Sequence, residues 1–135
     1  MASRRENQQR VFDAVARHLL EQRAKAVDDL GQCRYRAPDG RRCAIGSLVL
    51  DAAYSPLMEG RGAGHQIVVS VLEASGYVVR GPAGVEEGFL RDLQHIHDNE
   101  SVERWLSLLR DFAALYYLSA TSLPGPSSDP STEPA

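Results

Sequence analysis

Two apolar stripes at helical spacing, one near each end of the chain, restrict the fold more than any other feature. Near the N-terminus, Val11, Val15 and Leu19 form one row at four-residue steps. Phe12, Ala16 and Leu20 form the row beside it. Adjacent i+4 rows make one broad apolar face, which a strand cannot do. Ser3-Arg4-Arg5-Glu6 precedes them as a capping box, so a helix is expected from there to about Ala24. Near the other end, Trp105, Leu108, Leu109, Phe112, Leu115 and Tyr116 advance by three and four residues and predict a second strong helix. Two such faces must bury each other or a shared core.

Between them the pattern changes. Asp28-Asp29-Leu30-Gly31 reads as a turn, and Gln32 to Arg36 alternates in the period of a strand. Pro38-Asp39-Gly40 supplies turn chemistry, which places a short hairpin or turn near residues 32–43. The Cys43-to-Ala53 stretch fits a helix with Ile45, Leu48, Val49 and Ala52 on one side, stopped at Pro56. Met58 to Gly64 reads as a loop. His65 to Ser75 carries both β-branched residues and helical spacing, and Gly76 as a C-terminal cap favours helix. Phe89, Leu90, Leu93, Ile96 and His97 mark a further helix, ended by Asp98 to Ser101. The sum is a mostly α (α+β) fold, about five helices in one domain over residues 1–118. A Ser/Pro-rich tail over 119–135 is expected to be disordered.

At 135 residues the chain can bury a core without staples, so neither a disulfide nor a structural metal is required. No apolar run reaches membrane-spanning length and no secretory signal opens the chain. A cytoplasmic location with Cys33 and Cys43 reduced is the expectation.

Net charge is -3 and unevenly spread. Residues 1–42 hold ten Arg/Lys against six acids, and the remainder five against twelve. Arg34, Arg36, Arg41 and Arg42 cluster around the turn with Tyr35 among them, a candidate binding knuckle. Four local arginines on an acidic chain disfavour nucleic acid and fit a protein partner with an acidic surface.

Three chemistries were open to the remaining residues. Cys43 follows Arg41 and Arg42 at a candidate helix start, where cations and the helix dipole would stabilise a thiolate. His97 with Asp98 would supply the base and its orienting carboxylate. Against this stands a Cys43 that is simply buried on an apolar face. Zinc held by Cys33, Cys43 and a histidine fails the paired-ligand spacing, and His95 and His97 point apart on a helix. A Cys33–Cys43 disulfide is disfavoured, because the turn centres on Asp39 instead of Pro38. No metal and no cofactor is expected.

The run Cys33-x-Tyr35-Arg36-x-x-Asp39-Gly40-x-x-Cys43-Ala44-x-Gly46-x-Leu48 resembles a signature of small bacterial and phage proteins without a settled activity. Glu59-Gly60, then Asp92-Leu93-Gln94-x-x-His97-Asp98, and then Trp105 continue the likeness. That pattern often carries a second cysteine where Ser47 stands. The resemblance implies a setting of bacteria and their mobile elements, and a fold in which the turn lies near the His97-Asp98 end. The expected function is a small non-enzymatic interaction or regulatory protein acting on a host protein. The alternative is a Cys–His hydrolase or transferase using Cys43, His97 and Asp98.

Overall fold

The computed structural model describes residues 2–124. Four α-helices form among these residues: α1 (Arg4–Gln22), α2 (Gln66–Ala74), α3 (Glu87–Asn99) and α4 (Trp105–Leu115). Single 3-10 turns stand at Gly46–Leu48, Pro56–Met58 and Val102–Arg104. The mostly helical class is as expected, with one α-helix fewer than the periodicity suggested.

α1 begins on the expected capping box. Ser3 Oγ accepts the Glu6 N–H at 3.1 Å and Glu6 Oε1 accepts the Ser3 N–H at 2.9 Å. The helix stops two residues before Ala24, with Arg23 in the left-handed region at φ 49° and its N–H donated to Leu19 O. Val11, Phe12, Val15, Ala16 and Leu19 are buried, so the stripe faces inward as its spacing requires.

α1, α3 and α4 touch one another and enclose an aromatic core. Phe112 is its hub: Phe12 stacks on it at 5.8 Å, Phe89 meets it edge-on at 5.0 Å, and Tyr116 lies 4.6 Å away. Offset and edge-to-face pairs of this kind each contribute beyond their buried area. Trp105 is fully buried and stacks on His97 at 5.6 Å. α2 packs against the Pro56–Met58 turn beside this core, turning Val68, Val69, Val71 and Leu72 inward.

The expected hairpin is reduced to two isolated antiparallel bridges, Val27 with Cys33 and Arg36 with Arg42. Both expected turns are present. Gly31 N–H reaches Asp28 O at 2.9 Å, and Gly40, at φ 91°, donates to Ala37 O at 3.0 Å.

The expected Cys43–Ala53 helix does not form beyond one 3-10 turn. Its N–H groups are taken elsewhere: Ile45 N–H goes to Gln94 Oε1 at 2.8 Å, Gly46 N–H to Cys43 Sγ at 3.3 Å, and Leu50 N–H to Ser75 Oγ at 3.0 Å. The first two of these N–H groups would be unpaired at a helix start in any case, and the ladder is lost where Leu50 gives its N–H to Ser75 in place of the Gly46 carbonyl. Pro56 accordingly stops no helix and instead opens its own short turn.

Leu118 is not the edge of the packed domain. Gln9 holds Ser119 through both main-chain groups, at 2.7 and 2.9 Å, and Leu123 is buried. The rest of the expected tail, 125–135, lies outside the described residues.

Leu109 is fully buried mid-stripe on α4. Leu109→Ala is expected to lower unfolding free energy by about 2–5 kcal/mol in urea titration, with the slope unchanged. A loss below about 1 kcal/mol would show that α4 does not anchor the core.

Candidate functional site

His97 is the centre of the constellation and is 0% exposed. It lies near the C-terminal end of α3, where its ring stacks on Trp105. Its Nε2 accepts the main-chain N–H of Ala26 at 2.9 Å. An N–H donor facing Nε2 requires a lone pair there, so the ring is neutral and its proton sits on Nδ1. That Nδ1–H donates to Asp98 Oδ1 at 2.7 Å. Gln94 Nε2, one helical turn back, donates to the same oxygen at 2.8 Å while Gln94 Oε1 receives Ile45 N–H. The Gln94-x-x-His97-Asp98 run therefore ties α3 to the segment from Ala26 to Gly46, and to the bend that carries both cysteines.

Asp98 is half-buried, which disfavours its charge, but hydrogen bonds from His97 and Gln94, with Cys33 adding to them, outweigh burial. Its carboxyl is held below the ordinary range for aspartate.

The second half of the scaffold is Glu59, to which the residue-by-residue reading gave no role. Its two carboxylate oxygens accept the N–H groups of Tyr35 at 2.8 Å and Arg36 at 3.0 Å. It also receives the Tyr54 hydroxyl at 2.8 Å and pairs with Arg34 Nε at 3.2 Å. Gly46 completes the arrangement by lying against the Tyr35 carbonyl, so closely that a Cβ would fall 1.9 Å from that oxygen. Gly46, Glu59 and Gln94 all stand in the signature. Position in that pattern was the one signal that marked them.

These contacts frame a cleft of about 440 Å³ between the 60–63 loop and one face of α3. Cys33, Tyr35, Cys43, Gln94 and Asp98 are among its lining residues, with Arg34, Arg61 and Arg91 also bordering it. The segments that flank the turn, at Cys33 and Tyr35 and at Cys43, lie against the Gln94-to-Asp98 end of α3.

The cysteine that His97 and Asp98 approach most closely is Cys33. Ligand atoms of Cys33, His97 and Asp98 lie within 4.8 Å of one another. Burial, then the Asp98 carboxylate, push the Cys33 thiol up to about 11. Cys43, 1% exposed, is pushed up to about 12 by burial, which outweighs the Gly46 N–H on its sulfur.

The expected acidified thiol at a helix start is thus not what Cys43 becomes. Arg41 pairs with Asp39 at 3.5 Å and Arg42 with Asp51 at 3.1 Å, so neither guanidinium is left to stabilise a thiolate. No α-helix begins at Cys43 to lend its dipole. His97 has no lone pair free to act as a base, since Nε2 is occupied by Ala26.

The same hydrogen bond bears on metal. An ion on Nδ1 would need the ring proton moved to Nε2, opposite an N–H. Among the three clustered groups, Cys33 and Asp98 alone keep donor atoms for an ion. His95 borders the same cleft and is exposed, bonded to Asn99 and facing Glu100 at 3.5 Å.

The arginine knuckle is present but largely compensated. Arg34 faces Glu59 and Asp28, and Arg36 and Arg42 share Asp51 at 2.8 and 3.1 Å. Arg36 also donates to Val49 O and lies 4.5 Å over the Tyr54 ring. Tyr35 is buried, with its hydroxyl on Arg61 O, so it is not offered for stacking.

Compared with known proteins, the chain matches no family model, no curated protein and no solved structure. No helix among the described residues is long and apolar enough to cross a membrane.

Two outcomes follow from this geometry. Brief iodoacetamide treatment near neutral pH should leave Cys43 unlabelled, with labelling by mass spectrometry only once urea unfolds the chain. Fast labelling of the native protein would contradict its burial. Asp98, with its folded pKa below its unfolded one, adds stability that is complete above the unfolded value near 4. That stability is lost as pH falls through the lower, folded value. The melting temperature of Asp98→Asn should therefore lie below wild type at pH 7, with the gap narrowing in acid. A gap independent of pH would remove the carboxylate from this role.

Proposed function

We propose that this chain is a small non-enzymatic interaction protein that docks an acidic surface of a partner protein on the knuckle around Arg41 and Arg42. One observation carries the choice of binding over catalysis: both ring nitrogens of His97 are spent on fold contacts, to Ala26 and to Asp98. The partner's charge is supported by the uneven pairing beside Asp51, where one exposed carboxylate is shared by the Arg36 and Arg42 guanidinium groups. Rim charges of this kind steer and select more than they add affinity. The signature's setting, bacteria and their mobile elements, suits a small factor that modulates a host protein.

The test is a charge reversal that spares the fold. Arg41→Glu with Arg42→Glu leaves alone Arg36, whose guanidinium packs on Tyr54 and would unsettle the segment if replaced. With helical circular dichroism unchanged, capture of a partner from a bacterial lysate should fall at least about tenfold, since both the association rate and the salt dependence rest on those charges. A partner retained at full strength by the reversed protein would sink this docking surface.

A further inference from the structure

We propose that the outer face of α2 is the interface of a symmetric dimer, in which a second copy of this chain packs antiparallel against it. This goes beyond the knuckle and stands whether or not an acidic partner binds there.

α2 sends Val68, Val69 and Leu72 into the core and leaves a second row uncovered. Ile67, Ser70, Val71 and Ala74 recur at helical spacing and, with Ala53 and His65, line a shallow groove of about 510 Å³. No member of the row is charged. Leu57, 65% exposed, stands in the turn that packs on α2. Leu50, 56% exposed, joins the other end through its N–H on Ser75 Oγ. Leucines left in water at both ends of one apolar groove mark a surface that association would complete.

The occupant follows from how the two ends differ. His65 Nδ1 accepts the Ile67 N–H at 3.1 Å, so the neutral ring carries its proton on Nε2. That Nε2–H faces Arg61 Nη1, another donor, at 3.3 Å. Neither can accept from the other. No acid among the described residues pairs with Arg61, whose Nε–H goes to Leu57 O at 3.0 Å. The N-terminal end of the groove therefore holds two donors and lacks an acceptor. At the C-terminal end Asp51 follows Leu50, its carboxylate 81% exposed beyond Arg36 and Arg42.

A two-fold axis across the middle of α2 exchanges these ends. The chain from Leu50, held at Ser75, through the Pro56–Met58 turn to the His65 cap runs back along one flank of α2. Donors and carboxylate thus share a flank, and the axis sets Arg61 and His65 of each copy opposite Leu50 and Asp51 of the other. The row matches itself as well. Rotation about a point between Ser70 and Val71 lays Ile67 over Ala74 of the second copy, a large side chain over a small one. A foreign apolar segment could fill the groove, but it would have to bring its own carboxylate to Arg61. A second copy carries one in register. The surface is small for a dimer, so half-association is expected at roughly 10–100 µM.

Sedimentation equilibrium of the full-length protein, from about 1 to about 300 µM, should show the mass climbing from one chain toward two. Ser70 is exposed beside the axis, so Ser70→Glu sets two carboxylates against each other. That variant should stay monomeric over the whole range, with helical circular dichroism and the melting temperature in dilute solution unchanged. Arg61→Glu should raise the dissociation constant about threefold, the scale of an exposed ion pair met twice. Register is read separately. Mixed under oxidising conditions, Ile67→Cys and Ala74→Cys should cross-link to each other faster than either does to itself. A protein that remains monomeric at the highest concentration would overturn the proposal and leave the groove to a foreign chain. A dimer that survives Ser70→Glu, or cross-linking no faster in the mixture, would overturn it equally.

Discussion

A single main-chain N–H, that of Ala26, determines what the most reactive-looking residues of this chain can do. By donating to His97 Nε2 at 2.9 Å it places the ring proton on Nδ1, and that proton in turn aligns Asp98. The imidazole thereby becomes a rigid spacer between a bend and a helix. Its burial against Trp105 costs little, because both nitrogens are satisfied where water is absent. Remove the Ala26 contact and the ring would regain a lone pair and, with it, the chemistry its neighbours suggest.

Glu59 plays the matching part on the other side of the cysteine segment. A carboxylate that accepts two consecutive N–H groups does for an irregular strand what a neighbouring strand would do in a sheet. Between Glu59 and the α3 amide-imidazole-carboxylate row, residues 26–46 need no extended ladder. Two isolated bridges suffice because side chains supply the missing partners. The signature residues are in this sense structural first, and the cleft is what remains between the elements they hold apart.

That division leaves the molecule with two distinct polar surfaces. The knuckle is charge-matched as a whole, with Arg36 and Arg42 sharing the one carboxylate of Asp51. The cleft is mixed, with the Asp98 carboxylate in a lining that also includes Arg34, Arg61 and Arg91.

Read alone, the order of residues determined the helices whose apolar rows repeat at three and four: α1 with its capping box, α3 and α4. It also determined the turns at Gly31 and Gly40, where local chemistry decides. Periodicity is a property of neighbours along the chain, so it needs no fold to be visible. It failed at Cys43 to Ala53, where Ile45, Gly46 and Leu50 give their N–H groups to Gln94, to the Cys43 sulfur and to Ser75. The fate of His97 was equally hidden, since Ala26 lies 71 residues away and carries no side chain that announces the bond. Charge at the knuckle was countable, but its compensation by Asp39, Asp51 and Glu59 was not. Long-range hydrogen bonds and ion pairs exist only once separate segments meet, and tertiary structure alone decided which donors, thiols and carboxylates were spent on the fold.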